Sequence, residues 1–400
     1  HNLVDRGRSM YSSRFTLPEI REAKKSLKGK EFLSLKRALG KLEKAIDAVV
    51  PFENGYEILE SAPSEIEEAP QSIKRAQQKH GKDKKPHPTE EFLQIAREGN
   101  KYLRLVAEYM GSNYRAYVTR AGVYADYSLL CVNPAPFLNE TLSRLNSAIV
   151  FSATLSPISY YMDAILGKTD KPFLLLPSPF DKDNFKIMLA PKVSVRYKDR
   201  EKSYADVANY LRQFVSAKVG NYFLYFPSYE YLENIRPYLI FDDADVYTQD
   251  RSMNHIDRQA FLENFLPTPT RTAVGLMIVG GAFSEGVDLV DDRLIGVAVV
   301  GVGLSTIAPE NEVIRAYRDT EGGDGFDFAY KDPGMNKVMQ AVGRVIRSET
   351  DVGAALLIDD RYMKEEYRSL FSRAYREYEV VLDAEEIGPI LKDFYGLKGQ

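Results

Sequence analysis

Beyond about residue 146 the chain repeats one pattern, a short apolar run followed by a segment with helical spacing and then another apolar run. The runs fall at 148–152, 222–226, 274–279, 294–300 and 354–358, with helical spacing near 156–166 and from Tyr229 onward. Runs this short and this uniformly apolar read as strands covered on both faces. A strand that returns after a helix pairs in parallel with its predecessor, so the alternation confines this half to an α/β fold on a parallel sheet.

The first 146 residues have a different texture. From 17 to 50, apolar residues (Ile20, Leu27, Phe32, Leu35, Leu39, Leu42, Ile46, Val49) recur at steps of mostly three and four, which predicts helix. A second helix is expected from Thr89, a capping residue, to Met110. Between them lies the basic, proline-containing stretch 79–88 (KHGKDKKPHP), read as a loop that is either solvated or in contact with a phosphate backbone. Two tyrosine-rich runs about Ala121 and Gly122, from 114 to 132, predict a β-hairpin. Four hundred residues exceed one ordinary core, so two or three domains are expected.

Composition excludes several classes. A formal charge of −4 argues against a protein coated in positive charge, so any nucleic-acid contact must come from a local groove. No apolar run is long enough to span a bilayer and the first residues lack the apolar core of a signal peptide; the expectation is a cytoplasmic protein without membrane contact. The single cysteine, Cys131, permits no internal disulfide or multi-cysteine metal site, and its apolar neighbours predict a core thiol.

The string with most chemistry is QAVGRVIRS, residues 340–348. Read as one helix, it sets Gln340, Gly343, Arg344 and Arg347 on consecutive turns with both arginines on one face. Paired guanidiniums suit a polyanion, above all a transferring phosphoryl group. Taken alone, the string fits a solvated helix about as well. Gly343, costly in a helix by roughly 1 kcal/mol against alanine, predicts that something approaches that face closely. A strand-like run follows and ends in Asp359, Asp360 and Arg361.

Three further strings precede it: FSATLSP with Ser152 and Thr154, YFPSYEYL with Ser228 and Tyr229, and GGAFSEGVDL with Glu285, Gly286 and Asp288. In this order the four resemble the third to sixth motifs of superfamily 2 helicases of the XPD/DinG type, over about 147–361. The resemblance implies a RecA-like second motor domain over 147–400. It is preceded by a mostly helical arch-like domain with a β-hairpin over 17–146, and 1–16 is the remnant of a first motor domain. His1-Asn2-Leu3 then reads as the end of a DEAH motif, with His1 near the nucleotide, or as a cloning remnant.

The activity implied is ATP-dependent movement 5′ to 3′ along single-stranded DNA with separation of duplexes at junctions. Arg344 and Arg347 are expected as arginine fingers, with Gln340 orienting water or phosphate. Glu285, Gly286, Asp288 and Gly343 are expected near the nucleotide, and Ser228, Tyr229, Ser152 and Thr154 along DNA. No GxxxxGK[ST] loop occurs: Gly167-Lys168-Thr169 has Met162 where the first glycine belongs. ATP and Mg2+ are therefore expected to be held mainly by the first motor domain of the same parent protein, with any iron-sulfur cluster outside this chain. The 400-residue chain alone is expected to hydrolyse no ATP. The rival readings are a non-catalytic nucleic-acid-binding or scaffold protein with a retained helicase fold, and a two-chain ATPase whose phosphate loop lies on a separate polypeptide.

Overall fold

The computed structural model describes residues 2–152, 155–167, 170–281, 283, 294–372 and 375–398. The chain divides into two compact units, one of His1–Phe151, Tyr161–Lys171 and Ile307–Gly325, the other of Ser152–Tyr160, Pro172–Thr306 and Phe326–Gln400.

The first unit opens with α1 (Asn2–Met10), β1 (Ser13–Thr16), α2 (Leu17–Ser26) and α3 (Leu33–Asp47). The helical periodicity from residue 17 is thus split. Leu27 turns extended at φ −72° and ψ 91°, and Gly29 follows with φ 107°. Next come β2 (Gly55–Leu59), α4 (Ser64–Lys82), α5 (Glu90–Glu108), β3 (Tyr114–Ala121), β4 (Tyr124–Cys131) and α6 (Ala135–Ser143). The hairpin is present as expected, whereas the basic stretch begins as the last turn of α4 and becomes a loop only after Lys82.

The four strands make an antiparallel sheet in the order β1-β4-β3-β2. Its inner face (Phe15, Val118, Tyr127, Leu129) packs on Leu35, Leu39, Ile66, Phe92 and Tyr102. Each such fully buried side chain contributes about 1.5–3 kcal/mol. Cys131 is fully buried there, and burial pushes its thiol up to about 12.

After α7 (Ile158–Leu166), the second unit supplies β5 (Phe185–Ala190), α8 (Arg200–Ser216), β6 (Asn221–Phe226), α9 (Tyr229–Ile235), β7 (Ala244–Thr248), α10 (His255–Glu263), β8 (Thr272–Ile278) and β9 (Gly296–Val300). The helix α11 (Pro309–Thr320) belongs to the first unit. The second unit then continues with α12 (Asp332–Val342), β10 (Gly353–Ile358), α13 (Glu365–Arg368), β11 (Glu379–Val380) and α14 (Ile387–Lys398). Its strands form one sheet in the order β11-β5-β10-β9-β6-β8-β7, every pairing parallel.

Both faces are covered, as the uniformly apolar runs require. Along β6, Tyr222, Leu224 and Phe226 enter one core with α8 and α9, while Phe223 and Tyr225 enter the other with α12.

The expected strand at 148–152 does not form. Those residues hold no position in either sheet, and Ile149 and Phe151 are 87% and 86% exposed. A strand is completed by the edge it pairs with, and this run finds none among the described residues.

Candidate functional site

The arginine string hangs from α12. Ahead of that helix, Asp327–Lys331 makes one π-helical turn. The wider turn leaves room for Pro333, whose ring would otherwise press on the carbonyl four residues back. The helix start lies against the loop after β9, glycine on glycine: a Cβ on Gly303, which has φ +68°, would fall on the Gly334 carbonyl oxygen. Lys337 Nζ donates to Ser305 Oγ of the same loop at 2.6 Å. Met335, Val338, Met339 and Val342 bury the other side against the sheet.

The helix stops at Val342, which corrects the expectation of one helix through Arg347. Gly343 caps it, Arg344 and Val345 sit in a tightening turn, and Arg347 lies beyond in irregular backbone. The cause is Asp351. Its carboxylate accepts from the backbone N–H of Arg347 at 2.7 Å, the N–H of Ser348 at 2.8 Å and the Ser348 hydroxyl at 2.8 Å. A side-chain acceptor of this kind offers the backbone an alternative to helical bonding. Val345 is drawn into the sheet core beside Gly353, where a Cβ on the glycine would collide with it.

The two arginines still act on one buried group. Tyr225, fully buried near the end of β6, has its phenol pushed up to about 12 by burial, and the guanidiniums of both Arg344 and Arg347 act on it in the opposite sense. Arg344 is only 6% exposed. Burial lowers the pKa of Arg347, against the pull of Tyr225 and Asp351, so its charge is held in a partly dry setting. Two guanidiniums so placed can receive a phosphoryl oxyanion. The close approach predicted at Gly343 comes from the chain itself, because a Cβ there would meet the Tyr375 hydroxyl at 3.2 Å. Gln340 sits half-buried in the last turn of α12.

At the end of β6, Ser228 caps α9 by accepting from the Tyr231 N–H at 3.1 Å. Tyr229 is half-buried, with the Arg251 guanidinium 4.7 Å above its ring. A residue that sequence reasoning passed over organises this corner. Gln249, 4% exposed just after β7, donates from Nε2 to the Tyr229 hydroxyl at 2.9 Å and accepts from the Ile278 N–H at 3.1 Å. It joins the YFPSY string to the end of the strand that leads into GGAFSEGVDL. Its signal was weak because β7 is half exposed and lacks the apolar run that marked the central strands.

The tip after β10 is a strut. Asp359, fully buried, accepts from Arg361 Nε at 2.7 Å and NH2 at 2.8 Å, Asp360 pairs with both donors of Arg196 at 3.2 and 2.9 Å, and the Tyr362 hydroxyl donates to Gly301 O at 2.7 Å. These contacts tie the ends of β9 and β10 to the loop after β5. Ser152 is exposed and outside any strand. His1, Thr154, Glu285, Gly286 and Asp288 lie outside the described residues. Among the described residues no three His, Cys, Asp or Glu side chains are placed to share a metal ion, and no helix is long and apolar enough to cross a membrane.

Residues 211–378 match the family model described as the helicase C-terminal domain. Among curated proteins, the chain is 28% identical over 297 residues to a probable ATP-dependent helicase of Methanocaldococcus jannaschii, covering 68% of this chain and 43% of that protein. It is 27% identical to the ATP-dependent DNA helicase DinG of Photobacterium profundum (56% and 33% covered) and 26% identical to the XPD helicase subunit of Schizosaccharomyces pombe (62% and 34%). The chain thus spans a third to under a half of the length of these relatives. Among solved structures, an XPD helicase superposes with TM-score 0.59 at 17% identity (94% of this chain, 67% of that one). The S. tokodaii Xpd4 structure superposes with TM-score 0.61 at 14% (95% and 74%). These likenesses show the fold, with the seven-stranded unit RecA-like.

Proposed function

Since this chain is of the XPD/DinG helicase kind and carries the helicase C-terminal domain over residues 211–378, we propose that it supplies the second motor domain of an ATP-dependent DNA helicase. The observation that supports the reading is the placement of Arg344 and Arg347 near each other, where both charges act on the buried Tyr225. In the proposal, both arginines face the γ-phosphate of an ATP held chiefly by a first motor domain of the same protein, and stabilise the charge that develops as the phosphoryl group leaves. Gln340 orients water or phosphate beside them, and Glu285, Gly286, Asp288, Gly343 and His1 complete the nucleotide's surroundings. Mg2+ belongs to the ATP complex on the other motor domain.

Single-stranded DNA is the proposed track, with movement 5′ to 3′. Ser228 spends its hydroxyl on the helix cap, so the side-chain contact passes to Tyr229 and the Arg251 guanidinium on its ring. Ser152 and Thr154 couple turnover to grip. The division into a remnant at 1–16, an arch-like domain at 17–146 and a motor domain at 147–400 is part of the same proposal.

The test is Arg344→Ala or Arg347→Ala in the complete protein, read as DNA-stimulated ATP hydrolysis. Loss of an arginine finger is expected to lower turnover by about 10³ or more. Near-normal turnover removes the assignment. The 400-residue chain alone is expected to show no hydrolysis.

A further inference from the structure

On the opposite face of the sheet from the arginine pair, the first turns of α8 and α9 enclose a cavity of about 260 Å³. Both helices follow strands, so the cavity opens at the C-terminal edge of the parallel sheet, where α/β sheets take their ligands. Arg200 lines it. Its guanidinium lies 5.3 Å from the Tyr197 ring centroid and 5.5 Å from that of Tyr231, a cation held between two aromatic rings. Its Nε is buried with no hydrogen-bond partner among the described residues. Lys198 and Lys202 flank it, and among the described residues none of the three cations has an ion-pair partner.

The loop that presents them is fixed before any ligand arrives. Arg196 is clamped by both oxygens of Asp360, Ser194 Oγ donates to Asp199 Oδ2 at 2.7 Å, and the Asp199 N–H returns to Arg196 O at 2.8 Å. On this rigid turn the Tyr197 ring stands 80% exposed, with a cation beneath it. Large aromatic side chains are not held out in water by packing, and a stiff, cation-backed ring is what an unpaired base stacks on.

We propose that this cavity binds one nucleotide unit of a single nucleic-acid strand, its phosphate on Arg200, Lys198 and Lys202 and its base on Tyr197. The inference rests on the DNA reading above and adds Tyr197, Lys198, Arg200 and Lys202, which lie outside the helicase-like strings. Its volume lies below that of sites for whole drug-sized ligands and suits one unit of a longer chain. Glu201 and Glu230 line the same cavity, leaving a net excess of one positive charge. A bare anion therefore gains little, whereas a strand anchored on either side adds the stacking contact.

The experiment is fluorescence anisotropy of labelled oligo(dT) on the 400-residue chain across a salt series. Tyr197→Ala is expected to weaken binding about 5- to 150-fold, the range of one base-stacking contact. Arg200→Gln is expected to lower the log–log salt slope by about 0.7, the loss of one single-strand phosphate contact. Because Tyr197 is exposed, its variant should melt with the parent. Should Arg200→Gln fold poorly, Lys198→Gln with Lys202→Gln reads the same slope. If the parent binds oligo(dT) and all variants match it in affinity and slope, the cavity is not on the track, while the DNA reading stands. If the parent does not bind, both fall. Displacement of the strand by inorganic phosphate as readily as by unlabelled oligo(dT) would make this a simple anion site and overturn the nucleotide assignment.

Discussion

The backbone N–H of Arg347 donates to the Asp351 carboxylate at 2.7 Å, and that bond, with its two companions from Ser348, decides where the arginine-bearing helix ends. Asp351 is 6% exposed, and its removal strands three part-buried donors. Asp351→Ala is expected to lower unfolding stability by about 1–3 kcal/mol per donor left unpaired, read as a fall in urea midpoint without change in slope. An unchanged midpoint would show that the turn holds itself.

Gly303 and Gly334 meet with no room for a side chain. Gly303→Ala adds both a left-handed residue and a clash with the Gly334 carbonyl. A loss of about 2–4 kcal/mol is expected, seen as a melting temperature several degrees lower. An alanine at the exposed Gly122, which meets nothing within 4 Å but shares the positive φ at +60°, should cost only the backbone part.

Gln249 bridges Tyr229 and Ile278, and the two halves of that bridge are separable. Gln249→Leu loses both bonds. Gln249→Glu keeps an acceptor for the Ile278 N–H, and the Tyr229 hydroxyl can turn round and donate to it. Stability and oligo(dT) affinity should therefore fall with leucine and recover in part with glutamate, and Tyr229→Phe should remove only the share of the recovery that runs through the hydroxyl. Equal behaviour of Leu and Glu variants would refute the bridge.

Alkali should unfold the protein through its buried acids. Burial pushes the Cys131 thiol up from an ordinary value of 9.0 to about 12, and the phenols of Tyr117 and Tyr225 up from 10.0 to about 12. The folded state then holds protons that the unfolded chain releases, so stability declines as pH rises from about 9 toward 12. Urea midpoints at stepped pH should drop across that window, and Cys131→Ala should remove the part that begins near 9. Rapid labelling of Cys131 by iodoacetamide at pH 8 in the native protein would contradict its burial.

Uniform apolar runs such as Tyr222–Phe226 identified the central strands, because a strand covered on both faces has no polar positions to obscure it. The edge strand β7, with every residue at least partly exposed, gave no such signal, and Gln249 was missed with it. The run at 148–152 had the same apolar texture as the true strands yet formed none, since composition says nothing of which edge is free to pair.

The sequence by itself determined the parallel α/β half, the hairpin, the buried Cys131 and the identity of the arginine pair, since these follow from local periodicity and residue chemistry. Only the tertiary structure decided that Asp351 holds the backbone beyond the helix, that the charges of both arginines act on the buried Tyr225, and that Arg200 lies against the rings of Tyr197 and Tyr231. The Tyr225 and Tyr231 relationships depend on groups from separate strands and helices meeting in space, and the Asp351 turn, though local, depends on a backbone path that side-chain periodicity does not encode.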